Sequence, residues 1–271
     1  ILKDPTPMPE LDFLITESTY GGITHEDNAV CDNKLQEIIT ETCITNKGKL
    51  LIPAFSLGRT QELLYTLDKL YNAGKLSNIP VYVDSPLAMS ATQIYLMHPE
   101  CFDDELHNYM HKDNNPFGWS NMQYIKNTEQ SKILNTSDEP CIIIAASGMA
   151  NAGRIKHHLF HQLNNPKNTV LIVGYCAEGT LGKQLIDNAE KVTIFHQEID
   201  VLAKIEVLNS MSAHADQPEL LRFLSNQHPE NLKKIFLVHG EPKRQIALKE
   251  ALINKKFKNI EIPNLGQIFD L

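Results

Sequence analysis

PCIIIAASGMANAGRIKHHLFHQL, residues 140–163, is the stretch on which the fold turns. A run of β-branched residues, Ile142 to Ile144, stops at small residues, and a helical pattern opens at Gly153 and Arg154. Both alternating faces of the run are apolar, as in a strand covered on both sides of a parallel sheet. Working outward, the same pattern recurs in DFLITES (12–18), KLLIPAFS (49–56), PVYVDS (80–85) and NTVLIVGY (168–175). Between these runs, residues 57–76 carry Leu63, Leu64, Leu67, Leu70 and Tyr71 at helical spacing, and residues 27–46 carry Leu35, Ile38, Ile39 and Cys43 likewise. The alternation predicts an α/β fold with helices on both faces of a parallel sheet.

After Gly182 the texture changes. KVTIFH (191–196) and AKIEVLNS (203–210), with QEID read as the turn between them, predict an antiparallel hairpin. A helix is expected to open at Asp216, with Pro218 and Glu219 in its first turn. The strand KKIFLVHG (233–240), a helix from Glu241 to about Lys256 and a last strand NIEIPN (259–264) follow. Residues 97–130, poor in aliphatics, predict a surface excursion or lid.

Composition narrows the function classes. The 271 residues hold 25 Lys and Arg against 33 Asp and Glu, a net charge of −8, which argues against a non-specific nucleic-acid coat or a polybasic membrane anchor. No apolar run reaches the roughly 18–20 residues of a membrane span. The five cysteines are scattered, with no C-x-x-C, which excludes a cysteine-rich zinc knuckle and fits a reducing, cytoplasmic setting.

Ligands of open α/β sheets bind beyond the carboxyl ends of the strands. Those ends carry Ser56, Gly58 and Arg59; Asp84 and Ser85; Ser147, Gly148 and Arg154; and Gly179 and Thr180. Arg59 and Arg154 each follow a glycine at the start of a helix, a pattern suited to phosphate, because free N–H groups, close approach and a guanidinium fork converge there. The same arginines would serve equally as partners in structural salt bridges. Neither a G-x-x-x-x-G-K-[ST] loop nor a G-x-G-x-x-G fingerprint occurs, so a nucleoside-triphosphate or dinucleotide site is not supported. His214 and His239 stand at strand ends, where an imidazole on a rigid backbone can ligate a metal or move a proton, or simply satisfy a structural bond. His157, His158 and His161 lack the Glu of H-E-x-x-H and are expected on a polar or RNA-facing surface.

Taken together, ITESTYGGITHED (15–27), PAFSLGRTQELL (53–64), DSPLA (84–88), AASGMANAGR (145–154), GYCAEGTLG (174–182), MSAHAD (211–216) and LVHGE (237–241) resemble the β-CASP branch of the metallo-β-lactamase superfamily. GYCAEGTLG is similar to the polyadenylation-factor group more than to ribonuclease J. The resemblance implies a parallel-sheet β-CASP domain over about 22–208. A strand of the lactamase domain would precede it in 1–21, and the C-terminal return of that αββα domain would follow in 209–271. It implies a zinc-dependent ribonuclease that leaves a 5′-phosphate and a 3′-hydroxyl. His214 would be the general acid, Glu17 the carboxylate that orients it, and His239 a ligand to one of two Zn²⁺ ions. Ser56, Arg59, Ser85, Ser147, Gly148, Arg154 and Thr180 are the expected RNA-phosphate contacts. The family's H-x-H-x-D-H motif does not occur, so the chain is expected to be a fragment with an incomplete zinc site, inactive by itself. The expected partner is RNA, with no membrane, and a homodimer stays open. A non-catalytic RNA-binding or protein-interaction module of the same fold is the alternative. An unrelated Rossmann-like enzyme leaves SAHAD and VHGE unexplained. Along these boundaries the charge divides into −3, −7 and +2, so RNA would be held by a few placed groups rather than a basic sheath.

Overall fold

A computed structural model describes residues 1–76, 78–208 and 211–270. The chain forms two compact units, one of residues 1–3 and 26–213 and a smaller one of residues 4–25 and 214–271. The boundary expected after residue 208 abuts Asn209 and Ser210, which lie outside the described residues.

In the larger unit six strands form one parallel sheet. These are β2 (Leu50–Pro53), β3 (Val81–Val83), β4 (Met122–Tyr124), β5 (Ile142–Ala145), β6 (Thr169–Ile172) and β9 (Lys204–Val207), in the order β4-β3-β5-β2-β6-β9. The period-2 geometry of a strand sorts its side chains to two faces. Leu50, Ile52, Ile142 and Ile144 join Leu63, Leu67 and Phe102 in one core. Leu51, Ile143, Val170 and Ile172 join Ile155, Leu159 and Leu185 in another. Helices therefore cover both faces: α2 (Arg59–Asn72) supplies the first core, and α6 (Arg154–Gln162) with α7 (Leu181–Ile186) supplies the second. Ile143 is fully buried, so truncating it to Ala costs about 2–5 kcal/mol.

The structure departs from the sequence pattern in three places. QEID is no turn: β7 (Lys191–Ile194) pairs antiparallel with β8 (Gln197–Asp200) through a turn at Phe195 and His196, whose φ angles are 51° and 63°. Positive φ at both central residues is the type I′ geometry that suits a strand pair's twist, normally signalled by Asn-Gly, and Phe-His gives no such signal. Lys204–Val207 instead runs parallel to β6 at the sheet's edge. Residues 97–130 are no lid: Phe102, Leu106 and Phe117 are fully buried and β4 extends the sheet, because aromatic side chains do the burying that aliphatics do elsewhere. His158 is fully buried, while His157 and His161 are exposed.

The smaller unit joins the two ends of the chain. β1 (Phe13–Glu17) lies parallel to β10 (Lys234–Val238), which pairs in turn with β11 (Ile260–Glu261). Leu14, Ile235 and Leu237 pack with Leu220 and Leu224 beside α8 (Gln217–Phe223), and with Leu248 and Leu252 of α9 (Pro242–Asn254). Register decides the site: Glu17 faces Val238, so the two residues after each strand end, Ser18-Thr19 and His239-Gly240, lie side by side. Among the described residues no helix is long and apolar enough to cross a membrane.

Candidate functional site

Three side chains converge at the carboxyl edge of the small sheet. Glu17 closes β1, and Ser18 Oγ donates to the Val238 carbonyl at 2.8 Å, locking the two strand ends together. His239 turns out of β10 with φ 51°, a left-handed conformation in which His is among the enriched residues. Gly240 follows because a Cβ there would lie 2.5 Å from Ser18 Oγ. On the other side, Asp216 caps α8 with a capping box, its side chain taking the Glu219 N–H while Glu219 takes its own. The second oxygen of Asp216 accepts the His25 N–H at 2.8 Å, and Gln217 N–H reaches the Ile23 carbonyl at 3.0 Å. These bonds tie residues 18–25 to 214–217 and set His214 beside Glu17.

The resulting contact is close. His214 Nδ1 lies 2.7 Å from Glu17 Oε2, and the His214 and His239 ring centroids are 5.0 Å apart. The ligand atoms of Glu17, His214 and His239 all fall within 4.8 Å of one another, and the trio is partly exposed. Two imidazoles and a carboxylate are a donor set that zinc accepts. A second trio, His25, Asp216 and Glu219, is equally compact, but its carboxylates are already spent on the helix cap.

The larger unit gathers the remaining expected residues along the carboxyl ends of four adjacent strands, β3, β5, β2 and β6. The connection after β2 leads to β3 on one side and the connection after β5 to β6 on the other, so the direction reverses between β5 and β2. A crevice at such a reversal is where open α/β sheets hold ligands. There Gly148 fits against the ring of Phe55, where a Cβ would sit 2.7 Å from the ring. Phe55 itself is half exposed. Ser56 and Ser85 share a hydrogen bond of 2.8 Å, and Ser85 also caps α3 (Pro86–Met97). Ser147 Oγ accepts the Ala152 N–H at 3.3 Å. Thr180 caps α7, and its loop is tied to the β5 loop by the Leu181 N–H on Asn151 Oδ1 at 2.7 Å.

Both arginines have acidic partners. Arg59 is buried and paired with Glu62. Arg154 Nη1 donates to Asp84 Oδ1 at 2.5 Å and to the Ile125 carbonyl at 3.2 Å. Asp84 is fully buried and also receives Ser131 Oγ and His158 Nε2, at 2.5 and 2.7 Å. Burial alone would raise the Asp84 pKa, but hydrogen bonds from His158, Ser131 and Arg154 hold it below the usual carboxylate range. Asp84 and His158 were not among the expected site residues. The signal for them is the four-residue spacing of Arg154 and His158, which sets both on one face of α6.

Residues 60–185 match the family model of the Beta-Casp domain, and residues 198–263 that of the Zn-dependent metallo-hydrolase RNA specificity domain. Over 253 residues the chain is 35% identical to a ribonuclease of Thermus thermophilus, covering 93% of this chain and 57% of that protein. Over 266 residues it is 34% identical to an RNase J-like protein of Methanocaldococcus jannaschii, covering 97% and 59%. Cleavage and polyadenylation specificity factor 73 of Drosophila melanogaster is 32% identical over 254 residues, covering 93% and 36%. The chain thus spans less than two thirds of each of these relatives.

Proposed function

We propose, because the chain belongs to the β-CASP family of metallo-β-lactamase-type hydrolases, that its protein is a zinc-dependent ribonuclease to which this chain gives the RNA-gripping unit and part of the active site. The observation that carries the reading is the Glu17–His214 pair beside His239. A carboxylate on Nδ1 orients the ring and directs Nε2 away from itself, which suits His214 to protonate the departing 3′-oxygen of a scissile phosphodiester. Of the trio, Glu17 and His214 are engaged with each other, which leaves His239 as the residue that would hold zinc. The chemistry that zinc supplies when bound is polarisation of the phosphate and a lowered pKa of water. A second ion, which the family resemblance implies, needs donors beyond these three.

RNA lies, in this reading, along the crevice of the larger unit. Its phosphates meet Ser147, Gly148 and the guanidinium of Arg154; Ser56, Ser85 and Thr180, expected as contacts, are buried and spent on one another or on helix caps, and shape the turns instead. Asp84 holds that guanidinium by one nitrogen, and Arg154 is partly exposed. Arg59, paired to Glu62, contributes positive potential more than direct contact. The setting proposed is the cytoplasm.

The test is hydrolysis by the full protein, loaded with zinc, of a 5′-labelled single-stranded RNA. Cleavage to products with 5′-phosphate and 3′-hydroxyl ends, lost in His214→Ala, is expected. RNA binding without hydrolysis in the zinc-loaded protein would overturn the enzymatic reading in favour of a binding module.

A further inference from the structure

Thr19 stands between Glu17 and His239, and the count of its protons decides the state of the histidine. Its Oγ1 lies 2.6 Å from Glu17 Oε2, 3.1 Å from His239 Nδ1 and 3.0 Å from the His239 carbonyl oxygen. The hydroxyl is buried and carries one proton and two lone pairs. An ionised carboxylate can only accept, and two oxygens 2.6 Å apart without a proton between them repel, so the proton lies toward Glu17, the shortest contact and the one with charge. His239 Nδ1 then faces an oxygen lone pair. A ring nitrogen in that position must itself carry hydrogen.

We propose that Thr19 is a positioning residue that fixes His239 as the Nδ1–H tautomer, so that Nε2 presents its lone pair to the metal. The proposal rests on the reading of His239 as the zinc ligand. Thr19 acts as a relay: Glu17 takes its proton, and it takes that of His239, so one carboxylate orders both imidazoles, His214 directly at 2.7 Å and His239 through the hydroxyl. Partners of this kind on the far nitrogen of a ligating histidine set tautomer, ring orientation and basicity. The local fold is built to hold the relay. Parallel register brings Ser18-Thr19 alongside His239-Gly240, the Ser18 bond to Val238 ties the two strand ends together, and Thr19 Oγ1 reaches both the ring and the carbonyl of His239.

The experiment is nitrogen NMR of the full protein, labelled in its histidine rings, stripped of metal and held at pH 8. His239 signals are assigned by His239→Gln. In the wild type, His239 Nδ1 is expected to show a protonated, pyrrole-type shift and Nε2 an unprotonated, pyridine-type shift. Thr19→Val, which keeps shape and loses the hydroxyl, should move His239 toward the Nε2–H tautomer, and Thr19→Ser should restore the wild-type pattern. Zinc affinity should fall about 10–100-fold in Thr19→Val and recover in Thr19→Ser. A wild-type His239 protonated on Nε2, or an unchanged tautomer in a folded Thr19→Val protein, overturns the proposal. Should Thr19→Val not fold, the wild-type spectrum decides by itself. The tautomer is read without turnover, so its outcome stands apart from whether the protein hydrolyses RNA.

Discussion

Oε2 of Glu17 and Nδ1 of His214 meet at 2.7 Å although their residues lie in segments at opposite ends of the chain. On the proposed function the pair separates the roles of two neighbouring histidines, proton donor and zinc ligand. His214→Ala in the full protein should lower kcat by about 10²–10⁴-fold and leave zinc content nearly intact. His239→Ala should lower both. Activity assays paired with metal analysis check this, and equal zinc loss in the two variants would sink the division of labour.

Asp84 is buried at the centre of three donors, so its partners are coupled to stability. Arg154→Ala leaves Ser131 and His158 in place, and the expected cost is about 1–3 kcal/mol, less than the roughly 3–5 kcal/mol of fully breaking a buried pair. Because the folded pKa of Asp84 is depressed, its contribution is fully present above about pH 4, the unfolded value, and is lost as pH falls through the lower folded value. Urea titrations across that range check the sign. Arg154→Ala should also weaken RNA binding and reduce the salt slope by about 1, with a smaller change in Arg59→Ala.

Asp68 has the opposite sign. Its carboxyl is buried on α2, accepts the Tyr109 hydroxyl at 2.7 Å and leaves Oδ1 without a hydrogen-bond partner. Burial pushes its pKa up to about 6, against the lowering effect of the Tyr109 bond. The folded state therefore binds a proton that the unfolded chain, with a value near 4, does not yet hold. Stability should rise as pH falls from 7 toward 4 through this group. Asp68→Asn should be more stable than wild type by about 1–3 kcal/mol at pH 7.5, with the gap closing by pH 4. A constant gap across that range would refute the assignment.

The thiols divide by exposure. Cys101 is exposed and the other four are buried, with burial pushing Cys43 to about 12 and Cys141 and Cys176 to about 11. A maleimide at pH 7 should label Cys101 alone in the native chain, and Cys101→Ser should abolish labelling until denaturant is added. Mass spectrometry of tryptic peptides reads the outcome.

The parallel sheet was legible because Leu50–Ile52 and Ile142–Ile144 are apolar on both faces, which only a strand covered from both sides requires. The β7–β8 ribbon was not. Gln197, Glu198 and Asp200 are exposed, so no burial pattern marked them as a strand, and Phe195–His196 adopts a turn that its side chains do not favour. At the site, Glu17 and His239 stood out as polar residues at the ends of apolar runs, whereas His214, expected at a strand end, lies in the segment before α8, seven residues past β9. Asp84 at its strand end and His158 in its histidine cluster were visible, but their pairing was not, because a buried charge is recognised by its partners and these come from different elements: Ser131 from α5 (Thr128–Thr136), Arg154 and His158 from α6. Thr19 carries no signal of its own in the sequence, because its partner His239 comes from the far end of the chain.

The smaller unit's division between residues 4–25 and 214–271 has a consequence for the order of events at the ribosome. At about 5–20 residues per second, Glu17 and Thr19 emerge roughly 10–40 s before His214. Through that interval β1 has no β10 to pair with, and its half-formed edge, including the largely exposed Ile15, is open to unwanted strand pairing. The larger unit, all but its first three residues contiguous in sequence, can fold within the same interval. The contacts between Ile23 and Gln217 close a long loop, so the Glu17–His214 pair is expected to be the last contact to mature on the nascent chain.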